Sequence, residues 1–467
     1  MEKGYSLGID LGTSSVKVCL VERASGNLLK SFSENTSAWI NSDIGVLGHE
    51  QDVSKIFIAL HKCLSQLSVS EQSEIKGIGV TGQMHGCVLW KSNTTPWYTH
   101  DECNNLTLTS EHISPLYTWM DQRCTLDFLH SLPKAVSHLK IATGYGCATM
   151  FWLQRTRPKF FSNDEKRYDV SGTVMDLLVA ALCNLDKPVT SNQLAASWGY
   201  FDTVQNRWNS DILKKGGFPV DLLPEVVDCG SVVGHTGHQW GHIAVGTPVY
   251  AALGDVQCAF LSAQQEITDA VLNIGTSMQM GFVLKGNNLN PFRFPSYPES
   301  VDYFPYFDGQ YLALAASLNG GNVVSEFVTM LQSWFSEFSF SVSEEDVWRK
   351  LLSLAGVAED NGLKIQPTIF GERYQPDEHG SVVGITNSNT SLGQTFKAVC
   401  DGIIDNLDRM MPCDFVKCNG VRRILACGNV VAQNSVIRRR LEDVYHKIPI
   451  HYGQCGNSAF GAAKVVK

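Results

Sequence analysis

A chain that carries the same turn twice, half its length apart, is constrained by that repeat before anything else. Here the turns are Asp10-Leu-Gly-Thr-Ser14 and Asn273-Ile-Gly-Thr-Ser277. Each sits between two β-rich runs, Ser6 to Val21 in the first case and Ala270 to Leu284 in the second, so each predicts a hairpin. The spacing is far too long for a solenoid and suits a duplicated domain. Two unrelated Gly-Thr turns are the plain alternative.

Strand-like and helix-like runs alternate along the rest of the chain. Gln51 to Leu67 predicts a helix, with Val53, Ile56, Phe57, Leu60 and Leu64 on one face. Ile75 to Gly82, Tyr311 to Ser317 and Arg423 to Cys427 predict strands. Ala148 to Gln154, Val174 to Leu182, Asn322 to Phe335, Leu392 to Met410 and Ser435 to Tyr445 predict helices. The tail from Gly456 to Lys464 is a small-residue helix suited to close packing. Phe32 to Glu50 and Thr94 to Leu108 read as irregular insertions. Alternation of this kind predicts an α/β fold with both sheet faces covered, and a junction at Gly254 divides it into residues 1–253 and 254–467.

Composition narrows the partners. In 467 residues, 44% are hydrophobic and 18% charged, enough to bury a large interior. The net charge of −9, without a basic run, argues against nucleic acid and anionic membranes. No apolar run approaches the ~18 residues of a membrane span, and the N-terminus enters a strand without a cleavable signal. The 14 cysteines are spread singly with no C-x-x-C pair, as expected of free thiols in a reducing, cytoplasmic setting. Oligomeric state, monomer or homodimer, is left open.

Several residues suit chemistry. Gly-Thr-Ser turns present converging amides and hydroxyls to phosphate oxygens, so Gly12, Thr13, Ser14, Ser15, Gly275 and Thr276 are candidates, with Lys17 as a point charge. Asp10 suits a magnesium-bound water, or is a strand Asp satisfied by turn amides. Asp255, after a strand and a glycine, suits a general base or an ordinary helix N-cap. Trp119-Met-Asp121-Gln-Arg123 joins an indole to charges of both signs, as hydroxyl-rich ligands require; a surface ion pair on a strand is the alternative. Gln83-Met84-His85 follows a strand and has the same character. His235, His238 and His242 lack acidic or cysteine company and read as a solvated loop, and Arg438 to Arg440 as an exposed helix face. P-loop, G-x-S-x-G and H-R-D/D-F-G motifs are missing.

In order along the chain, Gly8-Ile-Asp10-Leu-Gly-Thr-Ser-Ser-Val-Lys17, Gly82-Gln-Met-His-Gly86, Trp119-x-Asp-x-Arg123, Gly254-Asp255 and Ile274-Gly-Thr-Ser277 resemble the motifs of FGGY-type carbohydrate kinases. The resemblance covers essentially the whole chain. It is closest to one ketose-phosphorylating branch at Ala142 to Thr149, Gln193 to Phe201, Tyr303 to Phe307 and Ala316 to Asn322. It implies two actin-like, ribonuclease-H-fold domains around a central cleft and an ATP- and Mg²⁺-dependent reaction. The expected product is sedoheptulose 7-phosphate, a xylulose or ribulose kinase being the alternative, and a non-catalytic sugar sensor or scaffold a further one. By position, the resemblance assigns phosphate to both hairpins and the metal to Asp10 through water, with Asp255 in reach. Sugar hydroxyls fall to Gln83, Met84, His85, Trp119, Asp121 and Arg123, and the base role to Asp255. Gly320, Gly321, Gly428 and Asn429 would line the adenosine. Two departures stand out: Cys427-Gly-Asn-Val-Val-Ala432 lacks the Ser usual in relatives, and Met278 replaces a common Gly.

Overall fold

The computed structural model describes residues 4–467 except 93–96, 162–167, 287–288, 296, 361, 376 and 454–455. Both expected hairpins form. Tyr5–Leu11 pairs antiparallel with Ser15–Glu22, and Asp269–Ile274 with Met278–Leu284. Their apolar runs are buried almost throughout, as central strands between two helix layers require.

Each hairpin seeds its own sheet, and the two sheets are connected alike. In the first, Ser15–Glu22 pairs antiparallel with Leu28–Asn35, while Tyr5–Leu11 runs parallel to Ile75–Gly82 and that strand parallel to Pro248–Tyr250. In the second, Met278–Leu284 pairs antiparallel with Tyr311–Ser317. Asp269–Ile274 runs parallel to Arg423–Cys427, and that strand to Ile450–Tyr452. Five strands in one order with the same senses answer the question the turns left open: the architecture is duplicated. Each sheet adds one antiparallel edge strand, Val232–His235 in the first and Val301–Pro305 in the second.

Helices cover the sheets and bury one apolar cluster against each. Val53–Leu64 buries Val53, Ile56, Phe57, Leu60 and Leu64, as its spacing predicts. It starts two residues late because Gln51 joins Glu50 in a short strand, leaving Asp52 as N-cap with its side chain accepting from the Ser54 amide. Gly146–Thr156, Val174–Cys183, Gly321–Glu337, Leu392–Met410 and Ser435–Val444 all form at or near their expected bounds. The tail helix Ser458–Val465 returns to the first sheet. There a Cβ on Gly8 would lie 1.8 Å from the Ala459 carbonyl oxygen, and one on Gly79 2.1 Å from that of Ala462. Small residues on both surfaces permit this backbone-to-backbone approach, which braces the strands leading into the site.

The two supposed insertions are more regular than expected. Phe32 to Asn35 completes the edge strand Leu28–Asn35, which is largely exposed on both faces and so shows no hydrophobic alternation. Of the second segment, 94–96 lie outside the described residues, and Tyr98–His100 pairs with Leu106–Leu108 in a short hairpin. His235, His238 and His242 are exposed. Among the described residues no group of three or more His, Cys, Asp or Glu could hold a metal, no helix is long and apolar enough to cross a membrane, and the cysteines are free thiols.

Candidate active site

Three parallel strand ends lie side by side. Leu11 is level with Gly82, and Gly82 with Gly254. The crevice beyond the carboxyl ends of parallel strands is where open α/β sheets take ligands. Asp10 lies one residue before the first of these ends. Asp255 lies just past the third and opens the helix Asp255–Ala263, its Oδ1 accepting from the Val256 amide at 2.8 Å. Burial pushes the Asp255 carboxyl up to about 7, and the charge of Asp10 adds to the rise. Burial also raises Asp10, to about 6, against the pull of Lys17, its partner across the hairpin. Oδ1 of Asp10 is buried without a hydrogen-bond partner. A carboxylate oxygen left so is a fitting acceptor for a metal-bound water, and the chemistry of this pair suits a hard cation.

The first hairpin's tip is tied to the wall beside it. Gly12 makes the turn possible, since a Cβ there would lie 2.8 Å from the Ser15 carbonyl oxygen. The Thr13 hydroxyl accepts from Trp119 Nε1 at 3.0 Å and donates to Gln83 Oε1 at 3.4 Å. Gln51 bridges them, donating from Nε2 to the Thr13 carbonyl at 2.7 Å and accepting from Gln83 Nε2 at 2.9 Å. Ser14, at the tip, stays exposed. Met84 packs its sulfur against Gly254.

His85 adopts φ 73°, the left-handed region, and stacks on Tyr145 with ring centroids 4.5 Å apart. Burial pushes its pKa down to about 4, so the ring is neutral near pH 7. Its Nδ1 lies 2.9 Å from the Ser197 carbonyl and must therefore carry the proton, leaving Nε2 an acceptor.

Asp121 and Arg123 lie in a loop and form a buried ion pair, neither on a strand nor at the surface. Asp121 accepts from Arg123 Nε at 2.7 Å and Nη2 at 2.8 Å, and from the His49 amide at 2.8 Å. Arg123 also reaches Glu50 at 2.7 Å and lies over the rings of Tyr117 and Trp152. This buried network fixes the loop that carries Trp119. Sequence gives no hint of Glu50 or Gln51 as members, because they come from a distant strand with no motif of their own.

The second hairpin meets two helix starts. The Gly321 amide donates to the Gly275 carbonyl at 2.8 Å and that of Asn322 to Thr276 at 3.0 Å. A Cβ on Gly321 would lie 2.5 Å from the Gly275 oxygen, and one on Gly320 2.7 Å from the Ser277 carbonyl carbon. Gly428 takes φ 106° with its Cα pressed against the Ile274 carbonyl. Beside this junction opens a cavity of about 890 Å³, whose lining includes Gly275, Thr276, Gly321, Asn322, Trp348 and Asn429. The space admits a nucleoside-sized ligand. Cys427 is buried behind it and Met278 lies in the core. Arg438 and Arg440 are half-exposed and engaged, the first with backbone carbonyls and Tyr452, the second with Asp405.

Two alike-connected sheets, each offering a Gly-Thr turn, with carboxylates at Asp10 and Asp255 by neighbouring strand ends, define a two-domain α/β protein of actin-like, ribonuclease-H-like architecture. Residues 5–262 match the N-terminal domain of the FGGY family of carbohydrate kinases. The sedoheptulokinase of Mus musculus is 42% identical over 468 residues, covering 99% of this chain and 97% of that protein. That of Homo sapiens is 42% identical over 469 residues with the same coverage. The crystal structure of xylulose kinase from Rhodospirillum rubrum superposes with a TM-score of 0.78 at 17% identity, over 99% of this chain and 89% of that one. The chain belongs to the FGGY family of carbohydrate kinases and is a sugar kinase.

Proposed function

We propose that this chain transfers the γ-phosphoryl group of ATP to the terminal hydroxyl of sedoheptulose, giving ADP and sedoheptulose 7-phosphate. The observation that carries the reading is the Asp255 carboxylate at the joined strand ends, raised to about 7 beside Asp10. A carboxylate with that proton affinity accepts a hydroxyl proton as the phosphoryl group arrives. The choice of sugar rests on the likeness to the two sedoheptulokinases. In this reading the chain divides at Gly254, residues 1–253 holding the sugar and 254–467 the nucleotide, with the tail helix crossing back.

ATP takes the cavity beside Gly275, with Gly320, Gly428 and Asn429 flanking the adenosine and Gly275, Thr276 and Gly321 facing phosphate. Gly12, Thr13, Ser14, Ser15 and Lys17 face the same phosphates from the other hairpin. Asp10, through water, with Asp255 in reach, would hold Mg²⁺, which would supply neutralisation of phosphate charge. Gln83, His85 and Trp119 receive sugar hydroxyls and C–H faces, and Met84 lines the floor. Asp121 and Arg123 hold the Trp119 loop in place. Phosphoryl transfer asks for positioning and charge compensation more than covalent chemistry, and a closed cleft excludes water that would compete with the sugar.

The test is ADP release coupled to a reporter, with ATP·Mg²⁺ and sedoheptulose, xylulose, ribulose or glycerol. Turnover on sedoheptulose that is lost in Asp255→Asn supports the reading. A preference for a pentulose removes the choice of sugar, and ATP binding without turnover on any sugar removes the kinase reaction.

A further inference from the structure

Arg373, from the opposite half of the chain, reaches the wall that carries Trp119. Arg373 projects from the turn at residues 371–375, and its guanidinium carbon lies 5.5 Å from the centroid of the Trp119 ring. The residue before it shows why it projects so firmly. Glu372 is fully buried and accepts from Ser317 Oγ at 2.6 Å, from Asn406 Nδ2 at 2.8 Å, from Asn319 Nδ2 at 3.0 Å and from the Leu318 amide at 3.2 Å. The Gly371 carbonyl accepts from Asn319 as well, at 2.8 Å. Glu372 and Gln375 close the turn through a mutual backbone bridge. Such a network fixes the turn to the second sheet's end at Ser317 and to the long helix Leu392–Met410.

Arg373 itself is exposed, although its neighbour is buried. Its charge is felt at His85, at Tyr145 stacked on His85, and at Asp302 on the edge strand Val301–Pro305. A guanidinium carried on a firmly anchored turn beside an indole has donors to offer to a polyhydroxylated chain held next to that indole.

We propose that Arg373 is a sugar-binding residue supplied by the nucleotide-side half, donating to hydroxyls of the ketose held against Trp119 and His85. The sugar is then gripped from both halves. This rests on the sugar-kinase reading of the same site.

The experiment compares wild type, Arg373→Ala and Arg373→Lys with sedoheptulose and ATP·Mg²⁺. The KM for each substrate is measured at saturating partner, and sugar affinity by the protection sedoheptulose gives against thermal unfolding. Loss of a charged hydrogen-bond donor predicts a sugar KM raised about tenfold or more in Arg373→Ala, with matching loss of protection. The KM for ATP stays within about twofold. Arg373→Lys recovers part of the sugar affinity, since an ammonium donates but cannot fork. An unchanged sugar KM in Arg373→Ala, or a rise confined to the KM for ATP, overturns the proposal. Wild type failing on every ketose fails the kinase reading instead, and the two failures are told apart by that control.

Discussion

Asp255→Asn separates the cost of the site from its use. The carboxyl's rise from 3.8 to about 7 corresponds, at about 1.36 kcal/mol per pH unit, to roughly 4 kcal/mol in fully dry surroundings. Asp255 retains some exposure, which reduces that figure. Asparagine also forgoes the attraction of about 0.5–1 kcal/mol between a carboxylate and a helix N-terminus. Its side-chain oxygen keeps the contact to the Val256 amide. The net expectation is a variant more stable than wild type by roughly 2 kcal/mol at pH 8, with turnover lowered ~10²–10⁴-fold. The sign follows from linkage. The native carboxyl binds its proton more tightly than the unfolded one, so stability from that proton is full below about 3.8 and lost as pH rises through about 7. The advantage of asparagine therefore grows over that window and vanishes near pH 4. Urea unfolding without nucleotide, followed by circular dichroism at pH 8 and pH 4.5, reads both ends. A variant less stable than wild type at pH 8, or a difference independent of pH, would refute the reasoning.

Three further outcomes follow from neighbouring geometry. Turnover of wild type rises with pH through the neutral region as Asp255 loses its proton and then levels; a flat profile from pH 5 to 8 contradicts its role as base. Gly428→Ala places a Cβ 2.2 Å from the Ile274 carbonyl oxygen at φ 106°, so stability falls by ~2–4 kcal/mol in urea and the KM for ATP rises. Arg123→Met leaves Asp121 and Glu50 buried without their guanidinium partner, which costs ~3–5 kcal/mol in the same assay, and an effect under ~1 kcal/mol contradicts the buried network.

The sequence is most legible where one local cause acts alone. Ile75–Gly82, Tyr311–Ser317 and Arg423–Cys427 are short, mostly apolar or small-residue runs, and they form as read. The paired Gly-Thr turns mark both hairpins because a tight turn between two strands demands small residues such as Gly12. Helix starts are less legible: Gln51 is helix-compatible, yet pairing with strands on both sides removes it. The edge strand Leu28–Asn35 is hidden because exposure on both faces erases alternation.

The site's residue types are visible, but their partners are not. Trp119-Met-Asp-Gln-Arg123 advertises polar recognition, yet whether Asp121 meets a ligand or Arg123 depends on Glu50 and His49 brought from a distant segment. Arg373 carries no local signal at all. It becomes a candidate only when Glu372 is seen anchored by Ser317, Asn319 and Asn406, three residues no motif connects.

The central claim is that Asp255 serves transfer to a ketose, and the most direct measurement is sedoheptulose-dependent ADP release by wild type and Asp255→Asn side by side. The account predicts ready turnover by wild type and a ~10²–10⁴-fold lower rate in a variant that is folded and still binds ATP. Near-equal rates in the two proteins would contradict it.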